Sequence, residues 1–568
     1  MSDATTTPSN TGYTPWTRAA RWGLVIVVLI AAGTRLIGLG SLDVWMDEVY
    51  SHEASSDLLP KLLKWETVSN ESSSPLPFIE QKFTRRIFGE ESPLSLRLPS
   101  ALHGIASVAF LYLIVGFTIG WSAAFWAALL LAINPFALEW SREGRMYTQW
   151  TAATLLLIAM AYEAVRWTRE EVPRPLAEPR HRAWDNPIAL NWRWWLTGFL
   201  FMLVHAMNVM GTMTLGGVGL WLGVMGLVEL KSNARAGLRI LTGAALATGV
   251  YLCSWGLTGI AKALMVSGVA KAAKDFKPPV LQEEVLKFLQ QVPGHVPTTA
   301  AIALWLLVLI GLVLLVRQGR WRIALLLTLA GLAAWLGYPA VAKSHYFAPK
   351  YVYTGVLTYC VGLGALAAWL SRGGFGLPLN GGRAIAALLV ITAAAIAWPF
   401  TNEVFFVPKM EIRKALHPVQ TQAKTGDVFI LVPDYYESLD GYKPYRFGDN
   451  VMVIRGPKEA RYGAMPDEEY KGTFETRFPT ADPRSPKQPP GGTWLFLLNV
   501  EGDGPVMQRW EERLASVQRV LSAYGLTVDD VKKHLTPETF TLTLRLSLNE
   551  AGKGVIEHLT PTLGRRFR

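Results

Sequence analysis

The stretch LDVWMDEVYSHEA, residues 42–54, carries the adjacent acids Asp47 and Glu48. A carboxylate can take a proton from a substrate hydroxyl when its surroundings fix its position and pKa. The same acids also suit the first turn of a surface helix, where they offset the positive end of the helix dipole. Three groups of cations offer a second chemistry. Lys82, Arg85 and Arg86 follow the acids; Arg142 and Arg145 lie in SREGRMY, residues 141–147; Lys343, His345 and Lys350 lie in KSHYFAPK, residues 343–350. Fixed cations of this kind hold a phosphate or pyrophosphate through charge-assisted, often bidentate hydrogen bonds. The plain alternative is long side chains reaching from a lipid boundary toward its headgroups. Glu143, Tyr147 and Tyr346 stand beside these cations as candidates for positioning a substrate. His205 joins them as an ionisable residue near the end of an apolar run, although a neutral His hydrogen-bonded between helices would look the same.

Other chemistries lack support. The sequence contains no P-loop, no GxGxxG after a strand, and no HExxH, GxSxG or CxxC pattern. Cys253 and Cys360 both fall in apolar runs, so neither a disulfide framework nor a metal-ligand pair is implied. Too few acids cluster to indicate a required metal, so none is expected, although a divalent cation remains compatible with the chemistry.

The elements that must position these residues are set by lipid. Of 568 residues, 51% are hydrophobic and 17% charged, against about 25% charged in soluble domains. Apolar runs occur at 22–40, 98–118, 122–138, 148–166, 194–209, 210–230, 240–256, 298–316, 323–341, 351–370 and 384–400. These make about eleven expected transmembrane helices, each near the ~20 residues that cross a bilayer. Alternate loops hold Arg169 to Arg193, Lys231 to Arg239, Arg317 to Arg322, and Arg372 with Arg383. With Arg18 and Arg21 they place the N-terminus in the cytoplasm. The loops 41–97 and 257–297, and everything after 400, then lie outside, away from cytoplasmic nucleotides.

Three parts follow: a cytoplasmic tail, 1–20; a membrane domain, 21–400; and an outer domain, 401–568. The net charge of +11 could be mistaken for a nucleic-acid footprint. Residues 401–568 carry 23 basic and 22 acidic residues, so the excess belongs to the membrane part and no nucleic-acid partner is expected. The outer part reads as a small α/β domain. Strands are expected at Asp427–Pro433, Asn450–Ile454, Thr493–Asn499 and Thr539–Leu548, with a helix over Val506–Tyr524.

The order of these motifs resembles the membrane-embedded GT-C glycosyltransferases of the protein O-mannosyltransferase (PMT-like) and aminoarabinose-transferase (ArnT-like) type. The resemblance rests on Trp45–Glu48 (WMDE) opening the first outer loop and Ser74–Phe78 (SPLPF) within it. It continues through Phe88-Gly89 with Arg97–Ala101 (RLPSA), the NPF…SREGRMY segment at 134–147, His205, and the basic–Tyr pair Lys350–Tyr351. It covers 20–210 well and 340–370 more loosely. The chain departs from the pattern in having Ser72, Ser73 and Ser74 before Pro75, and Lys350 where Arg is usual.

The resemblance implies a polyprenyl-phosphate-linked sugar as donor and transfer outside the membrane with inversion. Asp47 would then be the general base, and Arg142, Arg145 and Lys350, followed by Lys82, Arg85 and Arg86, would hold the donor phosphate. Glu48 or Glu143 would orient these side chains or bind sugar hydroxyls. The acceptor, a glycan, lipid or protein hydroxyl, is not legible. A transporter or flippase of lipid-linked glycans is the main alternative, but it calls for broken helices at the bilayer midplane and an internal repeat. An inactive envelope-binding scaffold is the second.

Overall fold

A computed structural model describes residues 14–65, 74–171, 192–208, 211–257, 281–341 and 353–407. Beyond them it describes Lys409, 411–424, 427–432, Tyr445, 452–455, 492–498, 510–511, 514–515, 517–536 and 539–563. Helix α1 (Arg18–Leu36) begins at Thr17, whose hydroxyl accepts from Ala20 N–H at 3.1 Å. The segment after it folds into three short helices, α2 (Met46–Ser56), α3 (Leu59–Leu63) and α4 (Pro75–Phe88). Helices α5 (Pro93–Thr118), α6 (Trp121–Ile133), α7 (Pro135–Ser141) and α8 (Tyr147–Glu171) follow. Next come α9 (Trp192–Met207), α10 (Gly211–Ser232) and α11 (Ala234–Tyr251). The helical part continues with α12 (Leu281–Gln291), α13 (Thr298–Arg317), α14 (Trp321–Val341), α15 (Gly355–Ser371) and α16 (Leu379–Phe406).

Among the described residues, six helices are long and apolar enough to cross a bilayer, or seven if the bent pair α6–α7 counts as one span. Eleven were expected. Each expected run holds a helix, but not all meet the length and apolarity of a full crossing. Helix α8 is diluted by Glu163, Arg166, Arg169, Glu170 and Glu171. Helices α9 and α15 have only 16 and 17 residues. The run 122–138 is not one rod. It bends by 59° between α6 and α7, because Pro135 cannot donate to the ladder and Asn134 instead caps Ala137 N–H at 2.8 Å. After that bend α7 leads into the 142–146 loop, which meets α2 at Asp47 and Glu48. Close approach there depends on Gly104: a Cβ would lie 2.8 Å from both Arg35 Nε and Ser141 Cβ.

Helix α17 (Ile412–Gln422) leads into a five-stranded sheet of β1 (Val428–Val432), β2 (Met452–Arg455), β3 (Thr493–Leu498), β4 (Thr539–Leu548) and β5 (Gly554–Leu563). The order is β2-β1-β3-β4-β5, parallel across β2, β1 and β3 and antiparallel from β3 to β5. Four strands lie where the sequence led them to be expected. β5 was missed, since Glu557, His558 and Pro561 dilute its pattern; Pro561 is tolerated because β5 is an edge strand. The expected helix Val506–Tyr524 falls partly outside the described residues; inside them, Gln518–Ala523 is helical and Gly525, at φ +70°, follows its end.

One apolar core fills the membrane bundle. A second joins the two parts of the chain: Val44, Met46, Val49 and Leu96 pack with Ile412, Leu416, Phe429, Tyr445 and Trp494. The segment around residues 44–49 is therefore roofed by the C-terminal domain.

Candidate functional site

Helix α2 presents Asp47 and Glu48 in its first turn, where the sequence expected them. Consecutive residues on a helix point about 100° apart, and the two carboxylates meet opposite surroundings. Glu48 is fully buried. Its Oε1 accepts from Arg97 Nε and Gly144 N–H, each at 2.7 Å. Its Oε2 accepts from Arg97 Nη2 at 2.7 Å and from Trp45 N–H at 3.2 Å. Arg97 spends its other donors on the carbonyls of Leu39, Leu42 and Asp43, at 3.1, 2.9 and 2.8 Å. Four donors occupy Glu48, so it holds the loop together and offers no lone pair to a substrate.

Asp47 is different. Its side chain is 20% exposed, and Arg145 Nη2 lies 3.9 Å from Oδ2. Arg145 Nη1 donates to Asp47 O at 3.0 Å and Ser51 Oγ at 3.2 Å. The guanidinium is thus clamped to the helix that carries the acid, beside a carboxylate that water can reach.

Among the described residues, Arg142, Lys82 and Arg85 are engaged elsewhere. Arg142 Nη1 donates to the carbonyls of Thr34, Arg35 and Ile37, at 3.1, 3.3 and 2.8 Å, and Nη2 donates to Gly38 O at 3.2 Å. It caps the C-terminal end of α1. Lys82 and Arg85 do the same for α2. Lys82 Nζ reaches Asp57 O at 2.8 Å, and Arg85 Nη1 reaches His52 O at 2.9 Å and Ser55 Oγ at 2.8 Å. Arg85 also donates to His52 Nε2 at 2.8 Å. Burial, then this cation, push the His52 imidazole down to about 4, so it stays neutral and can accept. These two cations bond the second half of α2 and its end, between ~8 and ~15 Å along the axis from Asp47 at 1.5 Å per residue. Arg86 is exposed.

Glu143 pairs with a residue that sequence reasoning missed. Lys409, between α16 and α17, lies 2.6 Å from Glu143 Oε1 and 3.3 Å from Glu139 Oε1. Its ammonium also stands 4.0 Å above the Trp45 ring and 4.4 Å from the Trp140 ring. Burial raises Glu143 to about 7, against the pull of Lys409 and with the charges of Glu139 and Glu48 adding to the rise. A cavity of about 30 Å³ lies among Asp43, Trp45, Glu48, Arg97, Glu143 and Lys409, room for a water. Nothing in the sequence flagged Lys409, a single cation in a loop; Arg97 was visible only as part of RLPSA. Arg35 was missed as well: it is buried at the end of α1, and its Nη atoms cap Leu131 O and Ala132 O at the end of α6, at 3.1 and 3.0 Å.

Tyr147 is buried at the start of α8, its ring edge-on to Trp140 at 4.9 Å. His205 belongs to a separate polar knot. Its Nδ1 lies 2.8 Å from Thr212 Oγ1 and 3.2 Å from Tyr251 Oη, while its carbonyl accepts from Ser74 Oγ at 2.8 Å. It ties α4, α9, α10 and α11 together. His345, Tyr346 and Lys350, with Lys343, lie outside the described residues. Among the described residues, no group of three or more His, Cys, Asp and Glu is arranged to hold a metal ion.

Against known proteins, residues 72–174 match the model of a family described as dolichyl-phosphate-mannose-protein mannosyltransferase. ArnT from Cupriavidus metallidurans in the apo state aligns with a TM-score of 0.52 at 13% identity, over 84% of this chain and 93% of that one. The same enzyme bound to undecaprenyl phosphate aligns at 0.51 and 14%, with the same coverage. The archaeal oligosaccharyltransferase AglB from Archaeoglobus fulgidus, in complex with an inhibitory peptide and a dolichol-phosphate, aligns at 0.50 and 12%, over 84% of this chain and 69% of that one. Among curated proteins no sequence matches significantly. At these identities the structural likeness is one of fold. With the family match it bears out the resemblance to GT-C membrane glycosyltransferases of the PMT and ArnT type.

Proposed function

We propose that this chain is a membrane-embedded glycosyltransferase that moves a sugar from a polyprenyl-phosphate donor to an acceptor hydroxyl, with Asp47 as general base. The observation that carries it is the contrast within one helical turn. Glu48 is saturated by four donors, while Asp47 stays partly open beside Arg145. Donor class is supported by the family match over 72–174 and by two neighbours of the same fold whose structures hold undecaprenyl phosphate or a dolichol-phosphate.

In this reading Asp47 takes the acceptor's proton as its oxygen attacks the anomeric carbon from the face opposite the phosphate, which inverts the configuration. The leaving phosphate gains charge that fixed cations must meet. Arg145 is the described residue placed for this, and Lys350 and the exposed Arg86 are the further candidates. Arg142, Lys82 and Arg85 serve by capping the helices that frame the site, and Glu48 by holding the loop. Transfer takes place on the extracytoplasmic face of the plasma membrane, with the N-terminus cytoplasmic and residues 401–568 forming the outer domain. No metal is required.

The test is transfer from a polyprenyl-phosphate sugar by the protein in lipid. Asp47→Asn lowers turnover by ~100-fold or more, the usual worth of a general base, with polyprenyl-phosphate binding retained. Equal turnover by the variant overturns the assignment. Treatment with EDTA leaves wild-type turnover unchanged; a loss restored by added divalent cation overturns the metal-free reading.

A further inference from the structure

We propose that Lys409 is a positioning residue, through which the C-terminal domain holds Asp47 and Arg145 in register. The inference rests on the reading of Asp47 as the base.

Its ground is how the outer loop is gripped. Three consecutive residues ahead of α2 are each held by a different residue from beyond the membrane part. Asp43 pairs with Arg413 at 3.3 Å and also accepts from its backbone N–H at 3.1 Å. The Val44 carbonyl accepts from Tyr445 Oη at 2.5 Å. The Trp45 ring lies under the Lys409 ammonium at 4.0 Å. Trp45 is two residues from Asp47, and Glu143, the strongest partner of Lys409, is two residues from Arg145. One ammonium thus grips both segments that must meet at the Asp47–Arg145 pair. The link continues through Gly144, whose N–H donates to Glu48 on α2.

The ammonium is held tightly enough to transmit position. Its side chain is 5% exposed, and a buried charge persists only with well-formed partners. Here these are two carboxylates and two indole faces, a cation–π arrangement strengthened by exclusion of water. The cluster is also acid-heavy. Glu143 faces Glu139 on α7, Glu48 on α2, Arg97 on α5, Asp43 and Arg142 from the adjoining loops, and Lys409 itself. Without Lys409, Glu143 loses the cation that favours its ionised form, and the nearby Glu139 pushes its carboxyl further up. The segment from Glu139 to Arg145 then loses its anchor to Trp45.

The experiment compares the full-length chain in lipid with Lys409→Met, Lys409→Arg and the double variant Lys409→Met/Glu143→Gln. For Lys409→Met, kcat with a polyprenyl-phosphate sugar falls ~10-fold or more, as expected when reacting groups are misplaced, while donor KM stays within about twofold. Lys409→Arg, which keeps charge and π-contact, recovers most of the turnover. The double variant removes Lys409 with the nearer of its two carboxylates and leaves Glu139 in place, so it regains part of the thermal stability but not kcat. Wild-type kcat in Lys409→Met overturns the proposal. So does a double variant that regains turnover together with stability, since the defect would then be only an unpaired charge. Backbone hydrogen exchange over residues 42–56 and 141–147 separates this from the function itself. If the wild-type chain transfers no sugar, the reading of Asp47 fails, and exchange alone decides. Faster exchange in Lys409→Met supports the positioning role; unchanged exchange overturns it.

Discussion

Two adjacent acids on one helix, Asp47 and Glu48, are set apart chiefly by which way they face. Glu48 points into a fork–fork pair with Arg97, the arrangement in which a guanidinium cannot be exchanged for an ammonium. Breaking a buried pair from one side leaves an uncompensated charge, worth ~3–5 kcal/mol. Glu48→Gln and Arg97→Lys are therefore expected to lower the thermal unfolding midpoint sharply, whereas Asp47→Asn leaves it near wild type. Glu143 supplies the pH dependence. Its folded value, about 7, lies above the ordinary 4.5, so the folded chain holds that proton more tightly than the unfolded one. Its contribution to stability is full below pH 4.5 and is lost as pH rises through 7. Thermal midpoints measured from pH 5 to 8 should fall with pH in the wild type, and Glu143→Gln should remove that part of the decline.

Helix ends explain four of the cations that composition could only count. A carbonyl at a helix C-terminus lacks an intrahelical donor, and near lipid there is little water to replace it. Arg35 serves α6, Arg142 serves α1, and Lys82 with Arg85 serve α2. From sequence, outward-facing cations beside a lipid boundary read equally well as phosphate ligands, because a carbonyl cluster and a phosphate ask for the same donors. Only packing decides between them. Lys82→Met with Arg85→Met should cost ~1–2 kcal/mol of stability, the worth of cations at a helix C-terminus, with donor affinity unchanged; a drop in affinity would return both to the phosphate site. Likewise Asn134→Ala should cost ~1 kcal/mol as a lost N-cap, measured as a lowered thermal midpoint. The pattern of apolar runs revealed where helices lie but not the break at Asn134–Pro135, which needs a cap and a bend to be read together.

At the scale of the molecule, the short apolar runs DVFILVP and TWLFLLN, bounded by Gly, Pro or Asp, were enough to reveal strands after the helices, and the spacing of WMDE to SREGRMY was enough to mark the acids. What was not legible was that these two parts touch. Val44, Met46 and Val49 look like ordinary loop hydrophobes until Ile412, Leu416 and Phe429 are seen against them. Orientation can be checked on the whole chain. With Cys253 and Cys360 replaced by Ser, Glu550→Cys should react with a membrane-impermeant maleimide added to intact cells, and Arg320→Cys only after lysis. The reverse pattern would place the outer domain in the cytoplasm.

The reach of the clamp also orders events in the life of the chain. Asp43 and the backbone of Arg413 that binds it are 370 residues apart in sequence, and every membrane helix except α1 is made between them. During synthesis α2 leaves the ribosome early with its apolar face uncovered, and its cover arrives last. A nascent chain released before residue 409 would carry Asp47 and Arg145 without the roof over them. The cover over α2 and its leading segment is thus complete only once residues 409–498 have been made.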